Sequence, residues 1–198
     1  MSEQELMELL RAGVDTTPLH TGDLPPLDLY MDQVLAMLEE RFQAGARQPG
    51  EKVITKTIIN NYSKARLLQK PVGKKYTPEH LLVLALIQSL KQSLSLEDVG
   101  RLLGSCPELS DGERYDAAAV AARYEDFERI KLSQEKLAEG ILQNMKDCGA
   151  EDLFTRVLYL ANLAGALTLT AQRLVDTLPV PEKPGRGKKL TPAGKNPA

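Results

Sequence analysis

The chain has 198 residues, enough for one large domain or two small ones, and a formal net charge of −2. Its 42% hydrophobic and 26% charged residues are proportions typical of a soluble globular protein. Leu and Ala dominate the apolar residues and favour helix, whereas runs of Val, Ile, Thr and aromatic residues are nearly absent. We therefore predict an all-α fold with at most one small β-hairpin.

Motifs for metal binding and catalysis are absent from the sequence. The cysteines, Cys106 and Cys148, lie far apart without ligand spacing, and His20 and His80 are isolated. There is no glycine-rich phosphate loop, G-x-S-x-G or H-E-x-x-H motif. We expect no metal, no cofactor and no catalytic residues, and we predict that the chain is not an enzyme.

Two segments bear on location in the cell. The N-terminal MSEQELMELLRAG is an acidic amphipathic helix without the basic and apolar regions of a signal peptide. The apolar segment from Val157 to Ala171 is shorter than the roughly 20 residues that span a bilayer, so we expect a buried core helix. We predict a cytoplasmic protein with no membrane contact.

In chain order, a short helix from Glu3 to Arg11 precedes a linker rich in Pro and Gly. Apolar residues at helical spacing predict a second helix from Asp28 to Phe42, followed by a loop from Gln43 to Gly50. Thr55 is a favourable N-cap for a third helix that runs to Ala65. Pro and Gly then predict a turn between Gln69 and Tyr76.

The helix from Pro78 to Ser93 is apolar nearly all round and therefore belongs in the middle of a core. Ser95 caps another helix that ends near Gly104. Two long helices follow, one from Ala117 to Cys148 with a polar interruption at Gln134, and one from Asp152 to Leu178. Small residues in the last helix would let a partner helix approach closely.

Charge is distributed unevenly along the chain. The segment from Lys52 to Tyr76 contains seven basic residues and no acidic one. A helix followed by a basic turn is how small proteins approach the backbone of a nucleic acid. From Ser93 to Asp152, 14 acidic residues outnumber 7 basic ones, which suggests a different role for the C-terminal half.

Residues 55–103 resemble the DNA-binding domain of MerR-type regulators. In that family a recognition helix of pattern T-I-R-x-Y-x-x-x-G-L-L leads into a wing of pattern P-x-x-x-x-G-Y-R-x-Y. The corresponding residues here are Ile58-Ile59-Asn60-Asn61-Tyr62, Leu67-Leu68, Pro71 and Lys74-Lys75-Tyr76. Arg66 stands where the family has Gly before the two leucines, and Lys74 stands where it has the wing Arg.

Three segments carry a second resemblance: PPLDLYMDQVL, ITKTIINNYSK and KKYTPEHLLVLALIQSLKQSLSLEDV. With these segments, the stretch from Pro25 to Leu178 resembles a bacterial family known as domain of unknown function 1836. It implies no established activity, so the functional inference rests on the MerR-like residues. The predicted division is an N-terminal helix and linker (1–25), a winged helix-turn-helix domain (26–104), a helical hairpin for dimerisation or sensing (115–178) and a disordered basic tail (179–198).

The MerR-like resemblance implies a binding site for double-stranded DNA on the third helix and the wing. Asn60 and Asn61 would face base edges, where an amide can pair with adenine. Lys56 and Thr57 would lie near a phosphate at the start of the helix. The set is completed by basic residues that would neutralise the backbone and by two tyrosines at the edge of the core, one able to donate its hydroxyl to a phosphate: Lys64, Lys70, Lys74, Lys75, Tyr62 and Tyr76.

The resemblance also implies a homodimer, because MerR-type regulators dimerise through a C-terminal helix. The first hypothesis is a sequence-specific DNA-binding protein, a bacterial transcription regulator with an unidentified effector. The alternative is a helical protein-interaction module without nucleic-acid binding, in which the basic segment is a solvated surface. A third interpretation is an enzyme with an unrecognised site between the two halves.

Overall fold

The computed structural model describes residues 1–14, 19–43, 46, 48, 50–110, 113–134 and 136–179. Over these residues the chain is mostly helical and has two short strands, which confirms the predicted all-α class. The helices are α1 (Glu3–Val14), α2 (Met31–Phe42), α3 (Lys56–Lys64), α4 (Pro78–Leu90), α5 (Leu96–Gly104), α6 (Ala117–Ser133), α7 (Leu137–Asp147) and α8 (Leu153–Asp176). The strands are β1 (Leu29–Tyr30) and β2 (Lys75–Tyr76), and 3-10 turns lie at Thr21–Asp23 and Pro107–Leu109. The predicted tail from residue 180 onward, and parts of the predicted linker and of the loop at 43–50, lie outside the described residues.

Helix α4 lies at the centre of the fold, as its apolar sequence predicted. Thr77 is its N-cap and Pro78 occupies its first turn, where a missing N–H costs nothing. The eight residues from His80 to Ile87 are all buried, so the helix is covered on every side. The surrounding helices are positioned by the need to cover it.

A main core forms around α4 from one side each of α2, α3, α5 and α6. The residues that these helices bury at helical spacing are Val34, Leu38, Phe42, Ile59, Tyr62, Val99, Leu103, Val120 and Tyr124. Helix α6 packs along α4. The first helix of the predicted C-terminal region therefore shares a core with the predicted DNA-binding region.

A second, smaller core joins α1 to α7. It contains Leu6 and Leu10 of α1 and a buried set from α7 and the turn after it: Ala138, Ile141, Leu142, Met145 and Ala150. Ion pairs join α1 to α7 as well, with 3.6 Å between Arg11 Nη2 and Glu139 Oε1 and 2.6 Å between Lys146 Nζ and Glu3 Oε1. The N-terminal helix is thus packed against the C-terminal region.

The predicted continuous helix from Ala117 to Cys148 is wrong. Helix α6 ends at Ser133 and α7 begins at Leu137. Polar residues at this point leave nothing apolar to bury, and the Ser133 hydroxyl donates to the Ile130 carbonyl at 2.6 Å in the last turn of α6. The C-terminal region therefore contains three helices instead of the two expected.

Helix α8 is far more exposed than the sequence predicted. The expectation of a buried core helix is wrong, because Val175 is the one residue of α8 that is buried. The helix touches the second core through Tyr159, Leu160 and Leu163. It touches the main core through Ala171 and Val175, so each core covers only one edge of it. It is long and apolar enough to cross a membrane by length and composition, and none of its most apolar 18-residue window is buried.

The buried phenol of Tyr124 ties the segment before α2 to α6. Its hydroxyl donates a hydrogen bond to the Leu19 carbonyl at 2.7 Å. Replacing Tyr124 with Phe should lower the free energy of unfolding by about 1–2 kcal/mol, because the Leu19 carbonyl then stays buried without its donor. Urea denaturation measures the change. The control is Tyr159→Phe, since Tyr159 makes no hydrogen bond through its hydroxyl to the described residues, and equal losses in the two variants would contradict this role.

Candidate nucleic-acid interface

Helix α3 is held to the main core by one side. Its N-cap is Thr55, whose Oγ1 accepts the Ile58 N–H at 3.2 Å, close to the predicted start of the helix. Ile59 and Tyr62 are buried, and Ile58 is half-buried beside them. With the apolar side fixed in this way, the opposite side of the helix must face solvent.

The exposed side of α3 carries five of the ten predicted site residues. At 3.6 residues per turn, they fall on one continuous arc of the helix, opposite Ile59 and Tyr62. We call this arc the basic face, and its members are Lys56, Thr57, Asn60, Asn61 and Lys64. It offers cations to phosphates and two amides that can both donate and accept hydrogen bonds.

Helix α3 ends in a Schellman motif with Arg66 in the left-handed conformation. The Leu67 N–H donates to the Tyr62 carbonyl at 2.9 Å, and the Arg66 N–H donates to the Ser63 carbonyl at 3.2 Å. Arg66 has φ of 59°, a region that usually requires Gly. The MerR-like pattern has Gly at this position, so Arg66 retains the turn at a cost in backbone strain.

The predicted wing is a tight turn from Val72 to Lys75, which we call the wing turn. The Lys75 N–H donates to the Val72 carbonyl at 3.0 Å, and both central residues, Gly73 and Lys74, have positive φ. Two positive φ values are the mark of a type I′ turn. The wing turn exposes Val72, Gly73, Lys74 and Lys75 to solvent.

The wing turn is anchored to the start of α2 and not to a neighbouring hairpin strand. Strand β2 pairs antiparallel with β1, with Leu29 opposite Tyr76 and Tyr30 opposite Lys75. The Lys75 ammonium lies 5.5 Å from the centroid of the Tyr30 ring, a cation–π contact. No pattern in the sequence assigns Tyr30 to the site, because this contact depends on the pairing of β1 with β2, which are distant in sequence.

The cations of the acid-free segment are exposed and free of carboxylate partners among the residues that the structure describes. The seven residues are Lys52, Lys56, Lys64, Arg66, Lys70, Lys74 and Lys75. In contrast, Arg41 and Arg101 elsewhere pair with carboxylates. Lys52 and Arg66 were outside the predicted site, although the absence of acids around them was the signal that could have included them.

Tyr62 and Tyr76 differ from the other predicted site residues because they are buried. Each is 4% exposed and belongs to the main core, not to its edge. Burial raises the pKa of both phenols, so both are neutral near neutral pH. They support the surface from beneath, and neither presents its ring to solvent.

A groove of about 590 Å³ opens beside α3. Asn61 and Tyr62 of α3 line one side of the groove. The rest of its lining includes Gln88 and Lys91 at the end of α4, and Lys52 in the segment before α3. Asn61, at one edge of the basic face, therefore borders the groove. Over the described ranges, no group of three or more His, Cys, Asp or Glu residues could hold a metal ion.

The fold and this surface define a helical protein that displays an acid-free basic helix and turn on an apolar core. A family model described as Domain of unknown function (DUF1836) matches residues 19–127, just over half of the chain, and the chain belongs to that family. The match ends within α6, so it is shorter than the predicted resemblance and leaves α7 and α8 outside. No curated protein and no solved structure matches the chain, so the MerR-like resemblance stays a prediction.

Replacing Arg66 with Gly should stabilise the protein. A left-handed conformation costs an L-residue about 1–2 kcal/mol, and the greater flexibility of Gly in the unfolded chain returns about 0.5–1 kcal/mol of that gain. We expect the free energy of unfolding in urea to rise by about 0.5–1 kcal/mol. Ala65→Gly is the matched control, because Ala65 has φ of −76° and should lose stability on the same change. A loss of stability in both variants would contradict strain at Arg66.

Proposed function

We propose that this protein is a sequence-specific DNA-binding protein, a bacterial transcription regulator, that contacts double-stranded DNA with the basic face and the wing turn. The observation that carries the proposal is the exposure of all seven cations of the acid-free segment, without carboxylate partners among the described residues. When exposed cations neutralise phosphates, the counterions condensed on the DNA are released, and this release favours binding. The MerR-like order of helix, turn and buried helix supports the same function.

The proposed contacts are of two kinds: contacts to phosphates that position the protein on the DNA, and contacts to base edges that recognise sequence. Lys64, Lys70, Lys74 and Lys75 neutralise the backbone. Lys56 approaches a phosphate beside Thr57 at the start of α3. Asn60 and Asn61 are exposed on the basic face halfway along α3, where their amides can read base edges in the major groove. Tyr62 and Tyr76 keep the surface in place through burial.

The acidic region supports this division of labour, because several of its carboxylates have structural partners. Asp116 and Asp152 cap α6 and α8 by accepting backbone N–H groups. Glu128 accepts the Thr21 N–H at 3.1 Å and its hydroxyl at 3.0 Å. We assign these elements to folding and assembly, and the basic face and wing turn to DNA. A regulator of this kind would act in the cytoplasm.

The proposed regulator is a homodimer through α8, because this helix has an uncovered apolar patch. The members of this α8 patch lie on one continuous arc of the helix: Leu153, Phe154, Val157, Leu158, Ala161, Ala164 and Gly165. Phe154 is 74% exposed and Leu153 is 68% exposed. A contiguous exposed apolar patch on a soluble protein marks an interaction site.

The α8 patch is complementary to itself in size. Its large residues lie toward the start of the helix and its small ones toward the middle. Two antiparallel α8 helices crossing near Tyr159 would place Phe154 opposite Ala164 of a second copy and Val157 opposite Ala161. Large side chains over small ones let helices approach closely, and a two-fold axis repeats each contact.

The α8 patch also favours the second candidate function, a protein-interaction module. In that case a different helical protein would cover the patch, and the basic segment would be a solvated surface. The two functions are separated by whether the purified protein alone binds duplex DNA.

Binding of the protein to random-sequence duplex DNA should weaken steeply between about 50 and about 200 mM salt. If all seven cations meet phosphates, the slope of log affinity against log salt reaches about −6. Lys74→Glu should lower the affinity and reduce the steepness of the slope by about one, and adding Lys75→Glu should lower both further. Fluorescence anisotropy with a labelled duplex measures both quantities.

The matched control for charge is Lys136→Glu, which makes the same change on an exposed residue before α7. It should leave the affinity within about twofold of the wild type, since interactions beyond the Debye length of about 10 Å are screened. Undetectable binding at low salt would contradict the proposal of a DNA-binding regulator and would favour the protein-interaction module. Equal losses in Lys74→Glu and Lys136→Glu would show a general charge effect and not a site.

The α8 patch predicts a dimer that one substitution separates. Light scattering should give twice the chain mass of 21.8 kDa for the wild type. Ala164→Glu should give the monomer mass, because it places a carboxylate against an apolar surface. The control, Ala166→Glu, makes the same change at an exposed position outside the patch and should remain dimeric. A wild-type monomer at every concentration, or separation by Ala166→Glu alone, would contradict the assignment.

A further inference from the structure

The root of the wing turn contains a buried histidine that the proposed DNA contacts do not use. His80, in the first turn of α4, is 3% exposed. It lies under the segment that leads from the end of α3 through the wing turn to α4. A histidine is the side chain whose charge changes most readily near neutral pH, so its burial here has consequences for the wing turn.

The position of His80 requires its neutral form. The Thr77 N–H donates to Nδ1 at 3.1 Å, and the Thr77 hydroxyl lies 2.9 Å from the same atom. A ring nitrogen that accepts a backbone N–H carries no proton, so we assign the ring proton to Nε2. Nε2 is buried and meets no acceptor with hydrogen-bond geometry among the described residues.

His80 is surrounded by two aromatic rings and by polar groups from the segments on both sides of the wing turn. The Tyr76 ring packs edge-on, with centroids 5.5 Å apart, and the Tyr115 ring lies at 6.4 Å. Burial lowers the pKa of His80, and four groups oppose that effect in part: the carbonyls of Gln69 and Lys70 and the carboxylates of Glu79 and Asp28. Tyr76 and Tyr115 are themselves neutral, because burial raises the pKa of both phenols.

We propose that His80 is a pH-dependent positioning residue, which holds the wing turn in its DNA-binding position when neutral and releases it when protonated. This inference rests on the proposed DNA-binding function. A proton on Nδ1 removes the acceptor of the Thr77 N–H and leaves a cation buried away from water. Both costs are relieved if the side chain leaves its site, and the strand β2 that carries Lys75 and Tyr76 loses its support.

The sign of the pH effect follows from the lowered pKa of His80. We call the form in which His80 holds the wing turn the closed form. In this form His80 binds a proton less readily than a free histidine with a pKa of 6.5. The released form therefore takes up the proton first as the pH falls. The contribution of His80 to closure is fully present above about pH 6.5 and weakens as the pH falls from that value toward the lowered pKa of the closed form. Because one proton is taken up, the apparent DNA affinity falls by at most about tenfold per pH unit.

The test is a DNA-binding titration from about pH 8 to about pH 5.5, at constant salt, with the wild type and two variants. His80→Gln supplies an amide oxygen that can accept the Thr77 N–H but does not titrate. As the pH is lowered, we expect the DNA affinity of the wild type to fall and that of His80→Gln to stay constant. His20→Gln, at an exposed histidine, should follow the wild type. An equal fall in His80→Gln, or tighter wild-type binding at low pH, would overturn the proposal.

A second measurement needs neither a variant nor DNA. Nitrogen NMR of the imidazole ring should show the proton on Nε2 at about pH 7.5. The protection factor of the Lys75 amide, which is its intrinsic exchange rate at each pH divided by its observed rate, should fall as His80 takes up its proton. A protection factor that does not change through the titration would overturn the release of the wing turn. A wild type that fails to bind DNA at about pH 8 would contradict the proposed function, and this exchange measurement would still decide whether His80 holds the turn.

Discussion

The complete burial of α4 is the constraint on which the rest of the structure depends. A helix that is apolar on every side must be surrounded, and here α2, α3, α5 and α6 each give one side to that task. The residues left on their outer sides are then fixed by helical geometry. The basic face exists because Ile59 and Tyr62 are buried in the main core, which turns Asn60 and Lys64 toward solvent.

Two backbone features join this core to the proposed interface. Arg66 and Lys74 are both non-glycine residues with positive φ, one ending α3 and the other forming the wing turn. Strained positions of this kind persist only where the surroundings determine them, and they cluster at functional sites. The buried pair Leu67 and Leu68 follows the first turn, and His80 lies beneath the second. The wing turn is thus held from below by the same helix that organises the core.

The sequence predicted best what is decided locally. The all-round apolar pattern of α4 and the Thr55 cap of α3 each specify an element without knowledge of its neighbours. The break between α6 and α7 was missed because apolar residues recur at helical spacing on both sides of Gln134. The exposure of α8 was missed because an apolar helix has the same sequence whether its own chain or a second copy covers it. The pairing of Tyr30 with Lys75 depends on two distant segments meeting, which no local pattern encodes.

The most direct test of the account is a residue-level map of the protein bound to duplex DNA. Backbone amide shifts should change in two segments, residues 56–64 and 70–75, and stay constant in α7 and α8. That result would place the contact on the basic face and the wing turn, the surface that the packing of α4 leaves outward. Shift changes confined to α6, α7 or α8, or none in the basic face at low salt, would contradict the central claim.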